Sequence, residues 1–197
     1  RIESGRMILK NEEFSFSRML ESINTMFSGQ CLDKGQEYKC NIKGHIDDFY
    51  IGDNADITIV AGCGIYNCGA DDSIHNGVHT FHIGKNAKVR YIEKHYGAGP
   101  GAGKILNPVS VFHLAENAYA EVELEQIRGV DSTDRVTKAE LKNNAKILIR
   151  EKMLTQGKQY AKSHIETILQ GKNTTADIVS RSVATDDSRQ EFTLHIE

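Results

Sequence analysis

The hydrophobic pattern of the chain changes near residue 29. Between residues 14 and 27 apolar side chains recur at helical spacing, whereas after residue 29 apolar and polar residues alternate with the period of two that β-strands have. In this second part an asparagine–alanine pair recurs where one alternating segment ends and the next begins. The copies are Asn54-Ala55, Asn86-Ala87, Asn117-Ala118, Asn144-Ala145 and a weaker one running from Asn173 to Ala176. The pattern predicts a repeated unit of strand, corner and strand.

The repeat has a nearly constant length. The alanines at positions 55, 87, 118, 145 and 176 are 32, 31, 27 and 31 residues apart. A short alternating segment precedes each corner, at residues 45–51, 78–83, 109–114, 136–141 and 164–169. Self-similarity at such a period is typical of stacked repeat proteins, in which each coil buries its apolar face only against its neighbours. We therefore predict an all-β fold, a parallel β-helix.

The chemistry of the corner agrees with this fold. Asparagine tolerates the left-handed backbone conformation of a sharp corner, and its amide can bond to the asparagine of the next coil. Alanine is small enough to fit inside the bend. The alternative is an antiparallel sandwich, which tight Asn-Gly or Asp-Gly hairpins would favour. Asn76-Gly77 is the only such dipeptide.

The N-terminal part is predicted to be a short cap. Met19, Leu20, Ile23, Met26 and Phe27 share one face of an amphipathic helix at residues 17–28. We therefore divide the chain into a helical segment at residues 1–30 and a β-helix core domain at residues 31–197. The sequence does not begin with methionine and its final strand-like segment stops abruptly, so we expect a core fragment of a longer chain.

Composition excludes several classes of protein. The chain has 197 residues, of which 39% are hydrophobic and 26% charged, and a net charge of -3. These values indicate a globular protein, and the mixed charges argue against nucleic-acid or membrane partners. We find no long apolar run and no signal peptide, so we expect a cytoplasmic protein whose four cysteines are reduced.

Two segments interrupt the repeat. Residues 96–104 are rich in glycine but fail the spacing of a phosphate-binding loop, and we expect a mobile loop there. Residues 128–135 are polar, and we interpret them as a loop crossing between strands. Neither segment is typical of a domain linker.

The candidate chemistry is concentrated in residues 62–95. Cys63 and Cys68 are flanked by glycines, and His75, His79 and His95 follow within one repeat. Because residues one period apart lie on adjacent coils, Cys63 and His95 are expected to be neighbours. A thiolate beside imidazoles can bind soft metals or carry sulfur, although a buried cysteine often only packs. Cys31 and Cys40 are interpreted as ordinary residues.

Three segments resemble the SufB/SufD family of the SUF iron–sulfur cluster assembly system. They are residues 59–63 (IVAGC), residues 78–91 (VHTFHIGKNAKVRY) and residues 176–190 (ADIVSRSVATDDSRQ), and the likeness runs from about residue 52 onwards. The last motif is fairly specific. Cys68 and the nearby histidines are similar to the compact SufB-like proteins of archaea and anaerobic bacteria.

The resemblance implies a right-handed parallel β-helix, a SUF ABC-type ATPase as partner, and a dimer with a SufB/SufD-type chain or a second copy. In SufB-like members a cysteine at the position of Cys63 is linked to sulfur acceptance, with a cysteine desulfurase as the sulfur source. Cys68 would then be a second thiol for relay or metal retention. His75, His79 and His95, with Glu93 as a weaker candidate, would tune the pKa of the Cys63 thiol or, together with Cys63 and Cys68, act as ligands of a transient iron–sulfur cluster. The family pattern has an acidic residue where this chain has Ala61, and a Gln/Trp strand end where it has residues 93–96.

The resemblance also places the family's cluster ligands and its ATPase-docking helices beyond Glu197. We therefore predict a scaffold and sulfur carrier rather than an enzyme. Two other functions stay open from the residues alone. One is a carbohydrate-active β-helix, which the absence of tryptophan and of an export signal disfavours. The other is a structural solenoid that polymerises through its open ends.

Overall fold

The computed structural model describes residues 48–197, which form eleven β-strands. No helix in this part of the chain is long and apolar enough to cross a membrane. The strands are β1 (Asp48–Ile51), β2 (Asp56–Tyr66), β3 (Ser73–Ile83), β4 (Lys88–Ala98), β5 (Lys104–Leu114), β6 (Tyr119–Arg128), β7 (Ser132–Leu141), β8 (Lys146–Thr155), β9 (Tyr160–Leu169), β10 (Thr175–Ala184) and β11 (Arg189–Ile196).

The strands coil into a parallel β-solenoid of about five turns. The odd-numbered strands form one sheet in the order β1-β3-β5-β7-β9-β11, and the even-numbered strands form a second sheet in the order β2-β4-β6-β8-β10. Every pairing is parallel. The predicted fold class is therefore confirmed, and the predicted strands that fall within the described residues are present but longer than expected.

The asparagine corners carry the backbone from an odd strand to the next even strand. Asn54, Asn86, Asn117, Asn144 and Asn173 all have φ between 55° and 60°. Each later side chain donates a hydrogen bond from Nδ2 to the Oδ1 atom of the previous one, at 3.1–3.2 Å. The five amides form a ladder along the solenoid, as the corner chemistry predicts.

Of the five predicted corner alanines, three are fully buried, Ala55 is half-buried against the core, and the prediction of Ala176 is wrong. Ala87, Ala118 and Ala145 are fully buried inside the bend. In the last corner, however, Ala176 pairs with Ile147 inside the sheet, so the residue opposite Ala145 is Thr174. Thr174 fills the corner instead and donates its hydroxyl to the carbonyl of Gly171 at 3.3 Å.

The ladder gives a first testable prediction. Asn117→Ala removes two ladder hydrogen bonds and puts a residue with a β-carbon and no compensating amide at φ 58°. We expect the free energy of unfolding to fall by about 2 kcal/mol in urea denaturation. Asn117→Gly removes the same bonds but tolerates the dihedral angle, so it should lose less. Equal losses for both variants would show that the backbone conformation at this corner contributes nothing.

The interior between the sheets has an apolar half and a polar half. Near the asparagine corners it is filled by aliphatic and aromatic side chains, including a stack of Phe49, Phe81 and Phe112 with ring centroids 4.7 Å apart. Towards the opposite corner many inward positions are polar or charged, beside a small second apolar cluster of Ile65, Leu106 and Val130. In β7, for example, Thr133, Arg135 and Thr137 precede the apolar residues Ala139 and Leu141, and all five are buried. This polar half contains the candidate site.

The two interrupting segments are compact corners rather than long loops. β4 extends to Ala98 and β5 begins at Lys104, while β6 and β7 are separated only by residues 129–131. Gly97 and Gly129 cross so closely that a Cβ on Gly97 would lie 2.0 Å from the carbonyl oxygen of Gly129. Interpreting residues 128–135 as a polar crossing loop was wrong, because Arg135 is an interior residue of β7.

The predicted helix at residues 17–28 and the domain boundary after residue 30 lie outside the described residues, as do Cys31 and Cys40. The right-handed sense of the coil stays a prediction.

Candidate functional site

Cys63 lies near the end of β2, where its backbone is paired with that of His95 on β4. This register confirms that the two residues are neighbours on adjacent coils. The side chain of Cys63 is outside the described part of the structure. On the next strand of the sheet, β6, Gln126 is paired with His95. Positions 63, 95 and 126 therefore form a row along the solenoid.

A buried cluster of charged side chains begins at this row. Glu93 and His95 are on the inner face of β4, and Arg135 reaches them from β7 in the opposite sheet. One guanidinium nitrogen of Arg135 donates to Oε2 of Glu93 at 2.8 Å, and the other donates to Nδ1 of His95 at 2.7 Å. All three side chains are at most 3% exposed. The two hydrogen bonds of Arg135, one to Glu93 and one to His95, therefore connect the two sheets through the interior.

The arginine fixes the protonation of His95. Because a guanidinium can only donate, Nδ1 of His95 must accept, and the proton of the neutral ring is on Nε2. Burial lowers the pKa of His95 to about 4; the charge of Glu93 opposes this shift, while Arg135, His75 and His79 add to it. His95 is accordingly a neutral ring, and its Nε2 atom lies 3.5 Å from Oε1 of Glu93.

The carboxylate of Glu93 is contacted by Arg135, His95 and Tyr91. Burial by itself would raise the pKa of Glu93, but the hydrogen bond with His79 and the charge of Arg135 outweigh burial and hold the pKa well below its ordinary value. Glu93 is therefore ionised, and its charge is balanced by Arg135 at 2.8 Å.

Tyr91 connects Glu93 to a second imidazole. Its hydroxyl donates to Oε1 of Glu93 at 2.8 Å and lies 3.1 Å from Nδ1 of His79. Since the hydroxyl proton is used on the carboxylate, the hydroxyl oxygen accepts from Nδ1–H of His79. The tautomers of His79 and His95 therefore differ, with the proton on Nδ1 in His79 and on Nε2 in His95.

The cluster continues to a second buried carboxylate, Glu151 on β8. Its Oε1 atom accepts from Ser163 at 2.7 Å and its Oε2 atom accepts from Ser180 at 2.9 Å. Nε of Arg135 lies 3.8 Å from Oε1 of Glu151. One arginine thus lies between two buried carboxylates, and its removal would leave both without a cation.

The structure brings together only part of the predicted ligand set. His79, Glu93 and His95 are hydrogen-bonded in one cluster, and His75 is close enough to His95 to affect its pKa. Cys68 is exposed on the segment after β2, outside that buried cluster. Among the described residues, no group of three or more His, Cys, Asp or Glu side chains is arranged to hold a metal ion. Their role as cluster ligands stays a prediction.

Arg135, Tyr91 and Glu151 complete the cluster, and the sequence interpretation missed them. A signal for Arg135 was present, because it has the same parity as Ala139 and Leu141 and alternation puts all three on the inner face of β7. Glu151 likewise shares the parity of Ile147 and Ile149 on β8. Charged residues at inward positions of a strand were the available evidence.

One of three comparisons with known proteins identifies a family. Residues 49–197 match the family model described as SUF system FeS cluster assembly, SufBD core domain. Neither the comparison with curated proteins nor that with solved structures gave a match. The match covers about three quarters of the chain, from β1 to its last residue. The chain therefore belongs to the SufB/SufD family of the SUF iron–sulfur cluster assembly system.

Proposed function

We propose that this chain is a scaffold component of a SUF complex and that Cys63 accepts sulfur for a nascent iron–sulfur cluster. Membership of the SufB/SufD family supports the general role. The specific role of Cys63 rests on one observation: Cys63 is paired with His95 at the edge of the buried group of charged side chains. The iron–sulfur cluster is the cargo of the assembly, and in this proposal the chain carries sulfur and does not catalyse a turnover reaction.

The chemistry at Cys63 is a thiol–persulfide exchange. The thiolate attacks the outer sulfur of a donor persulfide, the bond between the two donor sulfurs breaks, and its electron pair leaves with the donor thiolate. The new bond joins that sulfur to Cys63, so no oxidant is needed. His95 is the residue paired with Cys63, and its neutral ring adds no charge of its own beside the thiolate.

The other predicted residues have supporting roles in this proposal. Cys68, which is exposed, is a second thiol that can relay sulfur or retain metal. Tyr91 and Arg135 fix the orientation of Glu93 and His95. The partners are a SUF ABC-type ATPase, a SufB/SufD-type chain or a second copy as dimer partner, and a cysteine desulfurase as sulfur source, all in the cytoplasm.

Sulfur uptake tests the proposal. The protein is incubated with a cysteine desulfurase and cysteine, and the added sulfur is measured by intact-protein mass spectrometry. We expect Cys63→Ser to lose most of the uptake, because the sulfur atom of the nucleophile is gone, while Cys68→Ser keeps the first transferred sulfur. Uptake by Cys63→Ser equal to that of the wild type would remove Cys63 from the mechanism.

A further inference from the structure

A groove runs along the outer face of the odd-numbered sheet, beside the asparagine corners. Its volume is about 500 Å³, within the range of small-molecule sites, which is roughly 300–1,000 Å³. Two rows of residues line it, and successive members of a row lie on adjacent coils. The first row is Tyr50, His82, His113 and Glu140, and the second is Gly52, Gly84, Ala115 and Lys142. The rows cross four coils, so the groove is roughly 14 Å long.

The first row forms a wall of stacked rings. The ring centroids of Tyr50 and His82 are 4.6 Å apart and those of His82 and His113 are 5.1 Å apart, with interplanar angles of 11° and 15°. Nδ1 of His113 lies 3.2 Å from Oε2 of Glu140, and because an ionised carboxylate can only accept, His113 donates this hydrogen bond. The wall is therefore aromatic along three coils and ends in a carboxylate on the fourth.

The second row leaves the floor of the groove open. A Cβ added to Gly52 would meet no heavy atom within 4 Å beyond its chain neighbours. At Gly84 an added Cβ would lie 2.7 Å from the backbone nitrogen of Asp53, so the two coils approach too closely there for a side chain. Ala115 contributes only a methyl group. The floor is thus bare and apolar until Lys142 on the fourth coil.

The fourth coil places opposite charges side by side at one end of the groove. Glu140 and Lys142 flank the buried residue Leu141, and both side chains line the groove. Nζ of Lys142 donates to the amide oxygen of Gln170 at 2.6 Å, and this neutral partner does not compensate the charge. The bond from His113 occupies one carboxylate oxygen of Glu140. An ammonium has three donors and a carboxylate has two accepting oxygens, so both groups have capacity for a ligand.

We infer that the groove binds a free amino acid with a large apolar side chain. Lys142 binds its α-carboxylate, and Glu140 accepts from its α-ammonium group. The apolar side chain of the ligand lies over the bare floor and against the rings of His113 and His82, where an aromatic side chain gains the most contact. A ligand with both charges at one end and an apolar body complements this arrangement. The inference goes beyond the proposed function and does not depend on the sulfur chemistry of Cys63.

Binding of L-tryptophan tests the inference. The chain contains no tryptophan, so indole fluorescence comes from the ligand alone. The fluorescence anisotropy of L-tryptophan is measured as protein is added, together with that of tryptamine, which lacks the carboxylate, and of 3-indolepropionate, which lacks the ammonium group. We expect L-tryptophan to bind with a Kd below about 1 mM. Each analogue loses one charged contact and should bind about fivefold more weakly.

Three variants assign the parts of the site. Lys142→Gln should weaken L-tryptophan binding about fivefold and leave tryptamine binding unchanged, since tryptamine has no carboxylate to lose. Glu140→Gln should weaken L-tryptophan binding by a similar factor and leave 3-indolepropionate binding unchanged. Ala115→Leu fills the floor, so it should weaken the binding of all three ligands while the circular dichroism spectrum stays that of the wild type.

A matched control removes the same charges elsewhere on this face. Lys162 and Asp134 form an ion pair at 3.5 Å near the starts of β9 and β7, whereas Glu140 is at the end of β7. Lys162→Gln and Asp134→Asn should bind all three ligands as the wild type does. The inference is wrong if L-tryptophan does not bind at this concentration or binds no more tightly than both analogues. It is also wrong if Lys142→Gln weakens tryptamine binding as much as L-tryptophan binding.

Discussion

Arg135→Met is expected to lower the free energy of unfolding by roughly 3–5 kcal/mol. Methionine has a similar length and fits the buried position, but it leaves the carboxylates of Glu93 and Glu151 inside the solenoid without a cation. Breaking a buried ion pair by removing one partner has this cost, because the remaining charge stays desolvated. The measurement is urea unfolding at neutral pH.

Two comparisons separate this charge effect from a general loss of packing. Arg150→Met removes an arginine from the exposed pair with Glu121, so it should change stability much less. Adding Glu93→Gln and Glu151→Gln to Arg135→Met should recover most of the loss, because the interior then holds no uncompensated charge. If the triple variant is no more stable than Arg135→Met alone, the ion pairs are not the cause.

The second large effect is a loss of stability on acidification, which we attribute to His95. Its pKa in the folded chain is about 4, against 6.5 for an ordinary histidine. Between these two values the unfolded chain binds a proton that the folded chain does not, so the free energy of unfolding falls as the pH falls. The contribution is complete above about pH 6.5 and is lost towards pH 4, and it amounts to roughly 3 kcal/mol.

Urea unfolding at several pH values measures this slope. His95→Gln removes the titrating group, so its stability should vary less than that of the wild type over this window. Protonation of Glu93 in acid also lowers the free energy of unfolding. Because the pKa of Glu93 in the folded chain lies below its ordinary value of 4.5, this loss falls outside most of the pH window. Parallel curves for His95→Gln and the wild type would contradict the assignment.

The asparagine corners made the coil predictable. Only a few residue types tolerate the left-handed conformation, so Asn54, Asn86, Asn117 and Asn144 mark the same corner in every coil. The opposite corners have no recurring asparagine. Their left-handed residues are Gly99, Gly129, Gly157 and Asp186, which differ in type and position from coil to coil. The sequence pattern therefore marks one side of the solenoid clearly, while the residues of the other side resemble those of loops.

The site was predictable to the extent that it follows the repeat. The 32-residue separation of Cys63 and His95 gave their pairing, because it equals one coil. Glu93 and Arg135 are 42 residues apart and belong to opposite sheets, so their contact depends on how the sheets face each other and has no period in the sequence. Thr174 was missed for a local reason, since the last corner reads Asn-Thr-Thr-Ala and the alanine is displaced into the strand.

We propose that Cys63 is the residue of this SufB/SufD family chain that receives sulfur. The most direct measurement maps the transferred sulfur in the wild-type protein, by alkylating it after reaction with a cysteine desulfurase and cysteine and sequencing its peptides by mass spectrometry. We expect a persulfide on the peptide that contains Cys63 at the earliest times, with Cys68 labelled later if at all. Early labelling of Cys31, Cys40 or Cys68 while Cys63 stays unmodified would contradict it.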